Sequence, residues 1–172
     1  MAYLVRILIQ GAAVAGLAAC LSACALDEPA SARAFADRWL HVDVQTYFTS
    51  QRGCTVAVYR LSSGTVRAGG TRVYVLRQGI GRLRTGQAVA FGDPNGTPDG
   101  LSRAIMSADL PVGLGLLSSV TGPRACMTDE VAQGVGRMLA TPGVMTIYDP
   151  AENIVILLDA ATRHAVLMRG EV

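Results

Sequence analysis

The chain has 172 residues, 51% of them hydrophobic and 16% charged, with a formal net charge of +2 at pH 7. That length is one domain's worth with room for a proper core, and the near-neutral balance excludes nucleic acid as a partner gathered by bulk charge. All 15 basic residues are Arg, which reads as GC-rich coding, so only their arrangement is informative.

The chain opens with one fixed positive charge, Arg6, and continues into the apolar run Ile7 to Ala19, broken only by Gln10. This is the layout of a secretory signal peptide. Two adjacent tetrapeptides stand there, Leu17-Ala18-Ala19-Cys20 and Leu21-Ser22-Ala23-Cys24. Each resembles the lipobox of bacterial lipoproteins, a Leu and two small residues before the Cys that carries lipid. Cys24 is the favoured site and Cys20 the alternative, because polar Asp27-Glu28-Pro29 begins just after Cys24. Cleavage before Cys24 also leaves two cysteines in the domain rather than an odd number. An uncleaved membrane helix over Ile7 to Leu26 competes, but Ala and Gly dominate its second half, which suits a processing site better than a span.

The resemblance implies acyl chains such as palmitate on Cys24, a membrane held through that anchor, and a cell-envelope location. Ala25 in place of Asp resembles the sorting pattern of outer-membrane lipoproteins facing the periplasm. The expected organisation is a signal peptide over 1–23, a lipidated Cys and solvated tether over 24–32, and a single globular domain over 33–172. The resemblance covers the first 24 residues and implies nothing about the domain's activity.

Pro29 to His41 reads as a short helix with Phe35 and Trp39 on one face. Val42–Phe48, Cys54–Leu61 and Thr71–Gln78 alternate with period two between Ser, Gly and Arg-Gly punctuation, and Gln87–Phe91 adds a short strand. Their spacing predicts successive antiparallel strands in a meander. Leu101–Ala108 reads as one or two helical turns before Leu110-Pro111. Thr128-Asp129-Glu130 opens a capped helix whose expected buried stripe is Val131, Val135, Met138 and Leu139. Val144–Tyr148, Asn153–Asp159 and His164–Arg169 read as a closing meander, and the apolar run Ile154–Leu158 suits a central strand covered on both faces. The expected fold is α+β, a mainly antiparallel sheet with two or three short helices packed on it.

Cys54 and Cys126 are expected to pair as a disulfide in an oxidising compartment; no Cys-x-x-Cys spacing supports a redox pair. Asp93, Asn95, Thr97 and Asp99 alternate like the start of a calcium loop, but Pro98 stands where an EF-hand needs Gly and Ala104 where it needs Glu. Turn chemistry explains the segment better. Gly79-Ile80-Gly81 lacks the third glycine and long helix of a nucleotide-binding turn. No cofactor or metal is therefore expected.

Between Asp43 and Asp93 there are seven arginines and no acid. Of these, Arg60, Arg67, Arg72, Arg82 and Arg84 are the candidate contacts for a partner, provided the fold gathers them onto one surface. His41 and His164, the two histidines, are the candidate bases should the domain be a hydrolase-like enzyme. Three expectations follow: a non-catalytic binding or assembly module for an envelope protein or anionic envelope component, a periplasmic enzyme, or a structural subunit of an envelope complex. Exposed apolar area around Val112–Leu117 would favour the last.

Overall fold

A computed structural model describes residues 25–170. In chain order the elements are α1 (Pro29–Trp39), β1 (His41–Gln51), β2 (Cys54–Ser63), β3 (Arg72–Val73), α2 (Leu76–Leu83), β4 (Val89–Phe91), α3 (Pro98–Ala108), α4 (Leu110–Thr121), a 3-10 turn (Gly122–Cys126), α5 (Asp129–Ala140), β5 (Met145–Asp149), β6 (Ile154–Asp159) and β7 (His164–Gly170). The fold is α+β, as the alternating and helical periodicities require, with more helices than the sequence suggested.

The strands form one sheet in the order β1-β2-β7-β6-β5-β4-β3. β6 lies at its centre, and its apolar run has a two-sided explanation. Ile154, Ile156 and Leu158 face α1, packing with Phe35, Trp39 and Leu40. Val155 and Leu157 face the other helices, with Ile105, Leu116 and Val135. Alternate residues of a strand point to opposite faces, so only a layer on each side buries all five. The β5–β6 and β6–β7 connections use the same device. Asp149 Oδ1 accepts the N–H groups of Ala151 and Glu152, and Asp159 Oδ1 accepts those of Ala161 and Thr162. Each loop then closes through a left-handed residue, Asn153 or Arg163.

Four expectations need correction. Thr71–Gln78 is not a strand. Only Arg72–Val73 pairs, in parallel with β4 at the sheet edge, and from Leu76 the chain is helical because Leu76, Ile80 and Leu83 recur at the spacing that buries one helix face. Arg77 and Gly79-Ile80-Gly81 therefore sit on a helix. The first strands do not run on as a meander either, since β7 lies between β2 and β6 and β3 and β4 sit at the other end of the sheet, whereas β5, β6 and β7 form the closing antiparallel meander expected. In α5, Val135 is buried, whereas Val131, Met138 and Leu139 are partly buried against the same core.

The fourth correction concerns where the domain begins. Asp27 is no solvated tether. Its carboxylate takes a 2.7 Å ion pair from Arg169 on β7 and a 2.7 Å hydrogen bond from the Thr55 hydroxyl on β2. Leu26 N–H donates to the Gln51 carbonyl and Asp27 N–H to Ser50 Oγ. Ala32, inside the expected tether, is buried. Among the described residues the folded unit thus includes Leu26 and Asp27, with Asp27 fixed to the sheet end through both its carboxylate and its N–H.

Candidate functional site

Cys54 and Cys126 form the expected disulfide, with a Cα–Cα distance of 6.1 Å and a sequence separation of 72. It joins the start of β2 to the 3-10 turn. The Tyr47 hydroxyl donates to the Cys126 carbonyl across the same junction. Cys20 and Cys24 lie outside the described residues.

The five arginines are not gathered. Arg60, on β2, is bound to Asp43 at 3.2 Å. Arg67, in the loop after β2, donates to the Leu40 carbonyl at 2.7 Å and reaches Asp37. Arg72 stands on β3 at the far edge of the sheet. Arg82 donates to Gln87, and Arg84 pairs with Asp109. Three of the five are matched by acids that lie outside the Asp43–Asp93 interval or at its boundary, so a basic run in sequence becomes a dispersed, partly neutralised set of side chains.

The histidines also lie apart. His41 begins β1 opposite Ser63. His164 begins β7 and is exposed, with Nδ1 engaged by the Thr162 carbonyl at 2.9 Å. Asp159 is its register partner on β6, but that carboxylate is committed to its own turn. His164 does line an open groove of about 910 Å³ between α5 and the sheet, together with Tyr47, Val131, Met138 and Glu130. The groove therefore holds an imidazole without a hydrogen-bonded carboxylate or hydroxyl to orient it, which is what a general base needs. Among the described residues no group of three His, Cys, Asp or Glu side chains could hold a metal ion.

The calcium-like segment serves helix α3 instead. Asp93 Oδ1 accepts the Asn95 N–H in a turn, Thr97 caps the helix by accepting from Gly100, and Asp99 lies in its first turn beside Arg103.

Helix α4 left little trace in the sequence, and it carries the most unusual surface. Its start was marked: Asp109 is its N-cap, with Oδ1 accepting the Val112 N–H at 3.1 Å, and Pro111 stands in its first turn. The Arg84 guanidinium first, and the Val112 N–H second, hold the Asp109 carboxyl below the usual carboxylate range. Two glycines obscured the rest, because Gly lowers helix propensity. Here they are spacers on the inward side, Gly113 against α3 and Gly115 against Tyr148.

Leu116 is buried with the small residues Gly113 and Ser119, and the other three leucines face out. Leu110, Leu114 and Leu117 recur at helical spacing and are 59%, 50% and 36% exposed. No charged residue occurs anywhere in α4. A separate groove of about 460 Å³ lies between the end of α4 and α5, lined by Val120, Met127 and Leu139 and also by Arg124 and Asp129. Among the described residues no helix is long and apolar enough to cross a membrane. Comparison with protein-family models, with curated proteins and with solved structures finds no match for this chain.

Proposed function

We propose that the protein is a lipid-anchored envelope lipoprotein whose domain is a non-catalytic assembly module, joined to a protein partner through the outer face of α4. The observation that carries this reading is the Leu110-Leu114-Leu117 stripe. A soluble monomer seldom exposes contiguous apolar side chains of this size without a use. Fully burying an exposed leucine contributes about 1.5–3 kcal/mol, and since these three are already about half buried, covering them supplies roughly 2–4 kcal/mol towards the cost of association. The partner presents an apolar face of its own, since α4 offers nothing for a charge to pair with.

The anchor rests on Leu21-Ser22-Ala23-Cys24, and the ties at Asp27 give it a physical consequence. Only Ala25 and Leu26 separate Cys24 from Asp27. Three residues of extended chain reach roughly 10 Å, so acylation at Cys24 would hold the β1–β2 turn, with Arg52, against the bilayer rather than letting the domain swing on a leash. The hydrolase-like alternative is less well supported, because among the described residues no carboxylate or hydroxyl is hydrogen-bonded to the imidazole of His41 or His164. Recognition of an anionic envelope component by the five arginines is weakened by the pairing of Arg60, Arg67 and Arg84 with Asp43, Asp37 and Asp109.

The test is to crosslink the protein mildly in its own membranes, purify it and identify what accompanies it. A stoichiometric protein lost in Leu114→Glu, but kept in Arg60→Glu, supports the reading. Recovery of the chain alone, or of a partner indifferent to Leu114→Glu, refutes it. In parallel, Cys24→Ser is expected to leave the unprocessed membrane form or release the protein; normal maturation and membrane fractionation of that variant would dispose of the anchor.

A further inference from the structure

The N-terminal tie and the leucine stripe lie at the same end of the domain. Asp149, Ile154, Arg169 and Thr55 face one another across β5, β6, β7 and β2, and Asp27 is bonded to the last two. Helix α4 meets the sheet close to this row. A Cβ on Gly115 would stand 2.6 Å from the hydroxyl of Tyr148, the residue before Asp149, and a Cβ on Gly170 would stand 2.7 Å from the Ser118 carbonyl oxygen. Only one or two residues of strand, roughly 7 Å, separate these contacts from the row. Cys24 lies no more than roughly 10 Å beyond Asp27, so acylation there would place α4 at the membrane-proximal end. His164 opens β7 at the other end, roughly 17 Å farther from the bilayer.

The chemistry of the stripe narrows its partner. Leu110, Leu114 and Leu117 are already part-buried, so covering them alone supports an affinity no tighter than roughly millimolar. A soluble protein seldom carries an uncovered apolar face to meet them, and at that affinity would seldom stay bound. A protein of the same bilayer is confined beside the stripe, which raises its effective concentration to about the millimolar range without any added contact. Its apolar rim is also covered by lipid until α4 arrives. Lipid by itself is the poorer occupant, because an interfacial helix gains much of its hold from Lys or Arg beside the apolar stripe. Helix α4 carries no charge, and the arginines before and after it are paired, Arg84 with Asp109 and Arg124 with Asp129. We infer, resting on the proposed α4 docking face and on acylation at Cys24, that the partner of α4 is a membrane-spanning protein of the bilayer that holds the anchor, engaged at the membrane surface.

The probe is a photocrosslinking side chain on the full chain, irradiated in its own membranes. Leu114→p-benzoylphenylalanine should give one major adduct, identified by mass spectrometry as a chain with membrane-spanning segments. Ala161→p-benzoylphenylalanine, in the exposed β6–β7 loop at the far end, should not give it. A flexible spacer of about ten Gly and Ser residues between Ala25 and Leu26 frees the domain to swing, and should cut the Leu114 adduct by roughly threefold or more while membrane fractionation is unchanged. An adduct to a protein without a membrane span, the same adduct from Ala161, or an adduct indifferent to the spacer would overturn the inference and leave α4 as a docking face. Adducts to lipid alone, or none, would overturn it together with the α4 reading. Normal maturation and membrane fractionation of Cys24→Ser would remove the anchor, and the inference with it, while leaving the Leu114 adduct in place.

Discussion

Gly113 of α4 lies so close to Met106 of α3 that a Cβ built on it would stand 2.5 Å from the Met106 Cα and 2.8 Å from its backbone nitrogen. The two helices meet through backbone at this point, and the contact turns Leu110, Leu114 and Leu117 outward.

Two opposed terms bear on Gly113→Ala. Helix propensity favours Ala by up to about 1 kcal/mol, while the backbone of Met106 cannot rotate away as a side-chain end could. The clash should prevail, with a net loss of about 1–3 kcal/mol. Gly136, in α5, has open space where a Cβ would go, with nothing within 4 Å, so Gly136→Ala should instead stabilise by up to about 1 kcal/mol. Urea unfolding of both variants checks the contrast; a loss at Gly136 equal to that at Gly113 would mean the α3–α4 approach is not the cause.

Asp109 predicts a pH dependence. Its folded pKa is depressed by Arg84 and by the Val112 N–H, so its contribution is present above the unfolded carboxylate value, about 4, and is lost as the pH falls through the lower folded value. Asp109→Asn keeps a capping oxygen but removes the charge. The variant should be less stable than the parent at neutral pH and converge on it in acid below about pH 4. Parallel stability curves down to the lowest pH would contradict the pairing.

The Cys54–Cys126 bridge spans a sequence separation of 72. On the chain-entropy account such a link contributes up to about 4 kcal/mol by restricting the unfolded chain. Reduction, or the double change to Ser, should lower the urea midpoint accordingly while leaving the sheet's far-ultraviolet circular dichroism unchanged under native conditions. An unchanged midpoint would show that the unfolded chain is already restrained without the bridge.

The strands that alternate or run wholly apolar, β1, β2 and β5 to β7, were legible because burial on one or two faces of a sheet leaves a period in the sequence. Helix α5 was legible for a similar reason, through its Thr128 cap and the acids that follow. Thr71–Gln78 misled because a strand of two residues running into a helix of eight leaves too few residues for either period to declare itself. Helix α4 was missed for a different reason: two of its inward-facing positions, Gly113 and Gly115, have no room for a side chain, and a sequence reads Gly as a break in structure rather than as room for a neighbour.

Residues close together along the chain were enough to establish the α+β class, the central position of Ile154–Leu158, and the two cysteines available to pair. Folding alone settled the features that depend on residues brought from afar. It matched Arg60, Arg67 and Arg84 to Asp43, Asp37 and Asp109, and drew Asp27 onto Arg169 across 142 positions. It also left Leu110, Leu114 and Leu117 of α4 exposed and buried the Thr146 hydroxyl without a hydrogen-bond partner among the described residues. Charge pairing and burial are properties of neighbours in space, and chain order fixes those neighbours only where the separation is a turn or a helical period.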